Sequence, residues 1–424
     1  MKALIYEMKK NIFRKYMLFI ILAALGANIL LIYTQYCQAG KGFSDVITRN
    51  VSTEKEWSYY KELHAQFDGT ITKEKVSNLT GKMDAYEPYI SSGDFSTDYD
   101  PENTETGYFY GDYSILETYF YNPIEYLVNY SLDNDQLIEK ASENIKFYNN
   151  TGNSCEAEKN QYILSRYRDR RLTEFYDFQG WKQLIGYDYS DLFLFFLLLL
   201  GIVPGYYNEQ KYKMTDILLA SKGRNKAYTY LKHTSIYLWI ICIVFAAAFV
   251  NCLVFKILYG LEGGGTYLYA LSDYQYTPLN LSLFGFFLFI NIMKCLSLIV
   301  FARIGIWISR KMKNIYMIYL ILLAGAAAGL YCSGFICSSS PLKQYLTLLN
   351  PLSGFNICEL EKGCYGIHVY GHYVPWLAAF VCVQLGLILL SYAVPCFCAA
   401  LRKPGKRYRQ GGYKRRQTDG SDGM

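Results

Sequence analysis

Six apolar stretches punctuate the chain, approximately Met17–Tyr33, Leu192–Tyr207, Thr234–Leu258, Leu279–Ala302, Ile315–Ile336 and Val374–Leu401. A helix rising 1.5 Å per residue needs about 20 residues to cross a hydrocarbon core of roughly 30 Å. The first two stretches are short for that task. Six in one chain, with Lys and Arg at their flanks, nevertheless outweigh the alternative of buried helices in a soluble core. No small-residue cleavage site follows the first stretch, which leaves as Leu31-Ile32-Tyr33-Thr34-Gln35, so it is expected to remain as an anchor. The pattern predicts an all-α membrane protein with six transmembrane helices.

Residues 34–190 read as a large, mainly helical domain inserted between the first two spans. Thr53 with Glu56 resembles a capping box, and Trp57, Tyr60, Leu63 and Phe67 follow at helical spacing. Asp133 is expected to cap a second helix striped by Leu137, Ile138, Ala141, Ile145 and Tyr148. Leu164, Tyr167, Leu172 and Phe175 suggest a third, leading into the second span. Ser91 to Asp112, rich in Gly, Ser, Asp and Thr, reads as loop. Residues 1–33 combine an interfacial helix, with Leu4, Ile5, Met8 and Ile12 on one face, and the first span. Residues 191–401 hold the other five spans. Within them Pro204-Gly205 should kink the second span or end it early. Pro341–Leu352, too short to cross, reads as a re-entrant or interfacial segment in 341–352.

Charge gives this layout an orientation. Residues 34–190 carry 15 Lys and Arg against 26 Asp and Glu, a net −11; the rest of the chain is net +17, together the chain's +6. The residues before span 1, between spans 2 and 3, between spans 4 and 5, and after span 6 are basic. The other connections (34–191, 259–278, 337–373) are acidic or nearly neutral. Basic loops stay in the cytoplasm, so both termini are expected there and the large domain outside. The tail 402–424, basic and then Gly-rich, is expected to be disordered near anionic headgroups. Only 18% of the 424 residues are charged and 52% are apolar, against about a quarter charged in a soluble chain. A soluble enzyme is excluded on that balance.

Catalytic chemistry is sparse. No phosphate-binding loop occurs, since Gly81-Lys82 runs into Met83, and no H-E-x-x-H, G-x-S-x-G or C-x-x-C is present. The chain is therefore expected not to be an enzyme, and to hold no metal and no cofactor of its own. His368 and His372, spaced i, i+4, read as an interfacial pair without a ligand. Whether Cys358 and Cys364 bridge is open, because spacing does not assign pairing. Polar residues within apolar stretches mark a candidate transport path: Asn251, Asn291, Lys294 and Gln384. Lys294 is the costliest of these to bury and can snorkel toward the inner surface.

The segment 208–226 places Met214, Ile217, Leu218 and Ser221 on one face of a short amphipathic helix that Gly223 can stop. With Glu209 before it and Arg224 after it, and with Leu348-Leu349-Asn350-Pro351 ahead of the last span, the chain resembles the permease subunits of type V ABC exporters, in the branch with a large outer domain after the first span. The resemblance covers the whole chain in layout and a few short stretches in residues; Lys213 or Met214 stands where the family often has Gly. It implies transport of an amphipathic or hydrophobic substrate. ATP and Mg would be bound by a separate cytoplasmic ABC ATPase. A second permease subunit would complete the assembly in the lipid bilayer, with no nucleic acid involved. It implies that Glu209 and Arg224 anchor the ATPase through polar contacts, while Met214, Ile217 and Leu218 fill its groove. The alternative is a membrane-anchored envelope sensor or assembly scaffold without transport activity.

The charge pattern makes a direct prediction. Green fluorescent protein, which folds only in the cytoplasm, should fluoresce when fused after Met424 and stay dark when inserted in the 259–278 loop. A dark fusion at Met424 would overturn the orientation.

Overall fold

In the computed structural model the residues described are 15–38, 53–91, 100, 102–212, 225–337 and 340–401. The chain is mostly helical. The first helix, α1 (Lys15–Gln38), precedes the large domain. That domain comprises α2 (Thr53–Phe67), α3 (Lys73–Asp84), α4 (Glu87–Ser91), α5 (Phe109–Leu116), a π turn at Glu117–Tyr121, α6 (Asn122–Asn150), α7 (Ser154–Tyr167) and α8 (Gln179–Gly186). The later helices are α9 (Tyr189–Lys211), α10 (Asn225–Leu258), α11 (Leu283–Lys311), α12 (Ile315–Ser333), α13 (Pro341–Leu349), α14 (Ile357–Leu360) and α15 (Trp376–Leu401). Two small antiparallel sheets complete the described chain. β1 (Gly69–Thr70) pairs with β2 (Glu174–Phe175), and β3 (Gly366–Val369) pairs with β4 (His372–Pro375).

Five helical segments, carrying α1, α9, α10, α11 and α12, are long and apolar enough to cross a membrane, as a multi-pass membrane protein requires. Caps set two of their starts: Ser282 Oγ accepts from Gly285 N ahead of α11, and Asn314 accepts from Tyr316 N ahead of α12. Three apolar clusters hold the fold. One joins α9, α10, α11 and α12 through Leu198, Ile240, Leu298 and Leu322. A second joins α8, the far ends of α10 and α11, and α15 through Trp181, Phe255, Phe286 and Phe380. The third is the core of the large domain, with Leu63, Phe67, Ile115, Phe120 and Phe175.

Several expectations change. Pro204 does not end the second span, because α9 continues to Lys211; a proline removes one ladder bond, and packing on four neighbouring helices holds the rod across the gap. Asp133 is not a cap, since α6 begins 11 residues earlier, at Asn122 with Pro123 in its first turn. The third outer helix stops at Tyr167. Leu172 lies in the loop beyond it and Phe175 sits on β2, so the four residues at helical spacing divide among a helix, a loop and a strand. The stretch expected as loop to Asp112 turns helical from Phe109. His368 and His372, read only as an interfacial pair, lie on opposite strands of the β3–β4 hairpin. Cys358 and Cys364 are both free thiols, Cys358 near the Ile185 carbonyl and Cys364 against the Tyr167 hydroxyl. The interfacial helix expected before Lys15 and the tail 402–424 lie outside the described residues.

Glu361 follows α14 and is buried beside Tyr162 and Cys364. Burial pushes its carboxyl from the ordinary 4.5 up to about 8. The folded chain keeps this proton while the unfolded chain releases it near 4.5. Stability is therefore full below about pH 4.5, falls as pH rises toward 8, and is level above that. Glu361→Gln should flatten this slope and raise stability at pH 8 by on the order of a few kcal/mol. Melting curves of both proteins across pH 5 to 9 check it; parallel curves would show that Glu361 does not carry the proton.

Candidate functional site

The apolar bundle is interrupted by two buried ionic contacts, one near each end of α9. At the end nearest the large domain, Lys294 Nζ lies 2.7 Å from Asp191 Oδ1, and each side chain is 9% exposed. Lys294 stands three turns into α11, and Asp191 sits in the first turn of α9. Beside the pair runs a chain of neutral polar groups from three helices. Tyr187 Oη donates to Asn28 Oδ1 at 2.8 Å, Asn28 Nδ2 donates to Asn251 Oδ1 at 2.6 Å, and Asn251 Nδ2 donates to Ser190 Oγ at 3.3 Å. Asn291 turns its amide onto its own helix, donating to the Phe287 carbonyl at 2.8 Å. Asp191, Asn251, Asn291 and Lys294 share a cavity of about 20 Å³, room for a single water.

At the other end of α9, Lys232 Nζ is 2.5 Å from Glu209 Oε2, again deeply buried. The same ammonium rests over the Tyr206 ring at 3.6 Å, and the Arg310 guanidinium lies over that ring at 5.2 Å. Alongside, Arg303 Nε donates to Ser391 Oγ at 2.8 Å and Nη2 to the Ser391 carbonyl at 3.0 Å, with the guanidinium 4.0 Å above Tyr392. Tyr237 and Tyr392 share a hydroxyl hydrogen bond of 2.7 Å. Cation–π stacking and two-point donation of this kind suit Arg in poorly hydrated surroundings. Together these contacts tie α9, α10, α11 and α15.

Of the expected transport-path residues, the fold brings together Asn251, Asn291 and Lys294. Gln384 is separate: it lies on α15 and donates to the Asn350 carbonyl at 3.1 Å. Lys294 does not snorkel away from the large domain, because its ammonium reaches Asp191 in the opposite direction. Asp191 escaped notice in the sequence as the first residue of an apolar segment. The signal was available, since a lysine deep in a span demands an acid nearby. Asn28 and Ser190 were also missed; single small polar residues in apolar runs carry little pattern. Among the coupling residues, Glu209 is buried against Lys232, whereas Met214, Ile217, Leu218 and Arg224 lie outside the described residues. No protein-family profile, curated protein or solved structure matches this chain.

Removing one partner of a buried pair leaves the other charge stranded, at about 3–5 kcal/mol. Lys294→Met alone is expected to cost that much. Adding Asp191→Asn to it should restore most of the loss, because two neutral groups then fill the site. Thermal unfolding of Lys294→Met, Asp191→Asn and the double variant, followed by size-exclusion chromatography, reads the cycle; additive losses would mean that the pair is not coupled.

Proposed function

We propose that the chain is the transmembrane permease subunit of an ATP-driven ABC exporter that moves an amphipathic or hydrophobic substrate across the cytoplasmic membrane. A separate ATPase subunit supplies ATP and Mg. In this reading α15 is the sixth span, both termini are cytoplasmic, the large domain is extracytoplasmic, and α13 is the re-entrant segment before the last span. The observation that carries the proposal is α9 itself. It is one continuous rod with the large domain at one end and segment 213–224 at the other, pinned near both ends by buried ion pairs. A push on segment 213–224 would travel along such a rod as long as the Glu209–Lys232 pair braces it beside Pro204. The role of Glu209 shifts accordingly: it braces the base of α9 against α10, and contact with the ATPase falls to Met214, Ile217, Leu218 and Arg224. The thinly covered faces of α1 and α12, with Phe19, Leu22, Leu320 and Leu323 exposed, suit a second permease subunit or lipid.

One observation favours the sensor reading instead. The large domain holds a polar cavity of about 400 Å³ between α6 and α7, lined by Asp133, Asn134, Lys140 and Asn160 among others, a size ordinary for small-molecule sites.

Co-expression with an ATPase encoded beside it, purification in nanodiscs, and measurement of co-elution and ATP hydrolysis separate the two. Ile217→Asp should abolish co-elution while leaving the melting temperature of the chain unchanged. Glu209→Ala should instead lower the melting temperature, since it removes the buried carboxylate that Lys232 pairs with. Failure to hold any ATPase, with Ile217→Asp behaving as wild type, would transfer the proposal to the sensor.

A further inference from the structure

A second cavity lies where α10 leaves the bundle and meets the large domain. Its volume is about 470 Å³, within the span of small-molecule sites. One wall is the α2 face with Trp57, Lys61 and His64. The opposite wall is the end of α10 with Lys256, and Asp177 closes the floor. His64 is 9% exposed and built in on both sides. Its Nδ1 is 2.6 Å from Asp68 Oδ1, and its Nε2 is 3.9 Å from Asp177 Oδ2. That second gap is too long for a direct hydrogen bond, and Nε2 is buried with no hydrogen-bond partner among the described residues. Burial pushes the Asp177 carboxyl upward, with the His64 ring opposing. Two acceptors 3.9 Å apart suit one group with at least two N–H donors, each making a bond of ordinary length; a primary ammonium has three.

The rest of the lining carries two lysines, Lys61 and Lys256, beside the exposed carboxylate of Glu262. Among the described residues the salt bridges engage neither Lys61 nor Lys256. Both are exposed at the mouth, and Lys61 Nζ stands 5.0 Å over the Trp57 ring. Directly along α10 from Lys256, Ile257 and Leu253 expose their side chains on the apolar helix surface. A cation site at the floor, free ammonium groups at the mouth and an oily helix flank below describe one molecule end to end.

We propose that this cavity holds the headgroup of a phospholipid carrying a primary amine, of the phosphoethanolamine type. The ammonium bridges His64 and Asp177, the phosphate lies at Lys61 and Lys256, and the acyl chains run down α10 past Ile257 and Leu253. A quaternary ammonium has no N–H to bridge the gap, and an anionic glycerol headgroup has no cation for Asp177. The site is therefore selective for the amine and not merely for phosphate.

Native mass spectrometry of the full chain in detergent, titrated with phosphatidylethanolamine, phosphatidylcholine and phosphatidylglycerol, tests this without any ATPase, so it is independent of the exporter proposal. Phosphatidylethanolamine should bind roughly tenfold more tightly than either of the others, the worth of one charge-assisted bridge. Asp177→Asn should erase that preference. Lys256→Glu, at the exposed mouth, should weaken all three lipids together and serves if the buried variant fails to fold. Equal binding of the choline and ethanolamine lipids overturns the proposal. So does an unchanged preference in a folded Asp177→Asn protein. Free phosphorylethanolamine binding as tightly as the whole lipid would overturn the assignment to a membrane lipid and leave a soluble zwitterion in its place.

Discussion

The organising constraint in this molecule is the pair of buried ionic contacts that pin α9. Asp191 and Glu209 are 18 residues apart, five turns at 3.6 residues per turn and about 27 Å of helix. That length is close to the hydrocarbon thickness of a bilayer. In a bilayer that spacing would put each acid near one edge of the apolar layer, where a charge is cheaper to hold than at its centre, and each meets a lysine from a neighbouring helix. Between them, residues 192–203 are almost wholly apolar and pack on Leu298, Ile240 and Phe355. Packing alone would let such an oily rod slide or rotate, because apolar contacts are non-directional. Two ion pairs fix its register.

The large domain is fastened to the bundle by polar contacts rather than by a shared core alone. Arg170 is the main rivet. Its guanidinium is sandwiched by Tyr167 at 4.1 Å and Tyr269 at 4.6 Å, and its Nε donates to Asn280 at 2.9 Å. Trp181 Nε1 donates to the Glu262 carbonyl at 2.8 Å. On another side the β3–β4 hairpin clasps α7, with His372 Nδ1 at 2.7 Å from Glu158 and Tyr373 N donating to the same carboxylate at 2.9 Å. His368 touches Cys155 in the same seam. The loops between apolar helices thus serve as attachment points, and the domain follows the helices that carry them.

Hydrophobic runs announced the long helices well, because a span is a long signal that tolerates errors of several residues at its ends. The core stripe Tyr60, Leu63 and Phe67 was legible for the same reason: about two turns of consistent spacing are hard to mimic. Leu172 and Phe175 were misread since both periods place a residue there, and a two-residue strand leaves no pattern of its own. The polar layer was half visible. Asn251, Asn291 and Lys294 stood out in apolar company, but their partners Asn28, Ser190 and Asp191 sit on other helices. Pairing between helices is a property of packing angles, which periodicity does not encode. His64, the centre of the second cavity, looked like an ordinary helix residue, because its neighbour Asp177 arrives from 113 positions away.

The 18-residue spacing also limits how α9 can move. At 100° per residue, Asp191 and Glu209 project from the same face of the helix. Rolling α9 about its axis would carry both acids away from their lysines at once, exposing four buried charges, each at a cost of several kcal/mol. Tilting about either end breaks one pair and keeps the other. Pro204 lies about one turn and a half before Glu209, where the missing N–H leaves the Leu200 carbonyl without its ladder bond. The helix is therefore softest next to the pair at the segment 213–224 end and stiffest toward Asp191. A force applied at that segment would bend the rod at Pro204 only if the Glu209–Lys232 contact gave way first. With that contact intact, a tilt that pivots on Glu209 gives up only the Asp191–Lys294 pair, and so costs less than rolling, which gives up both.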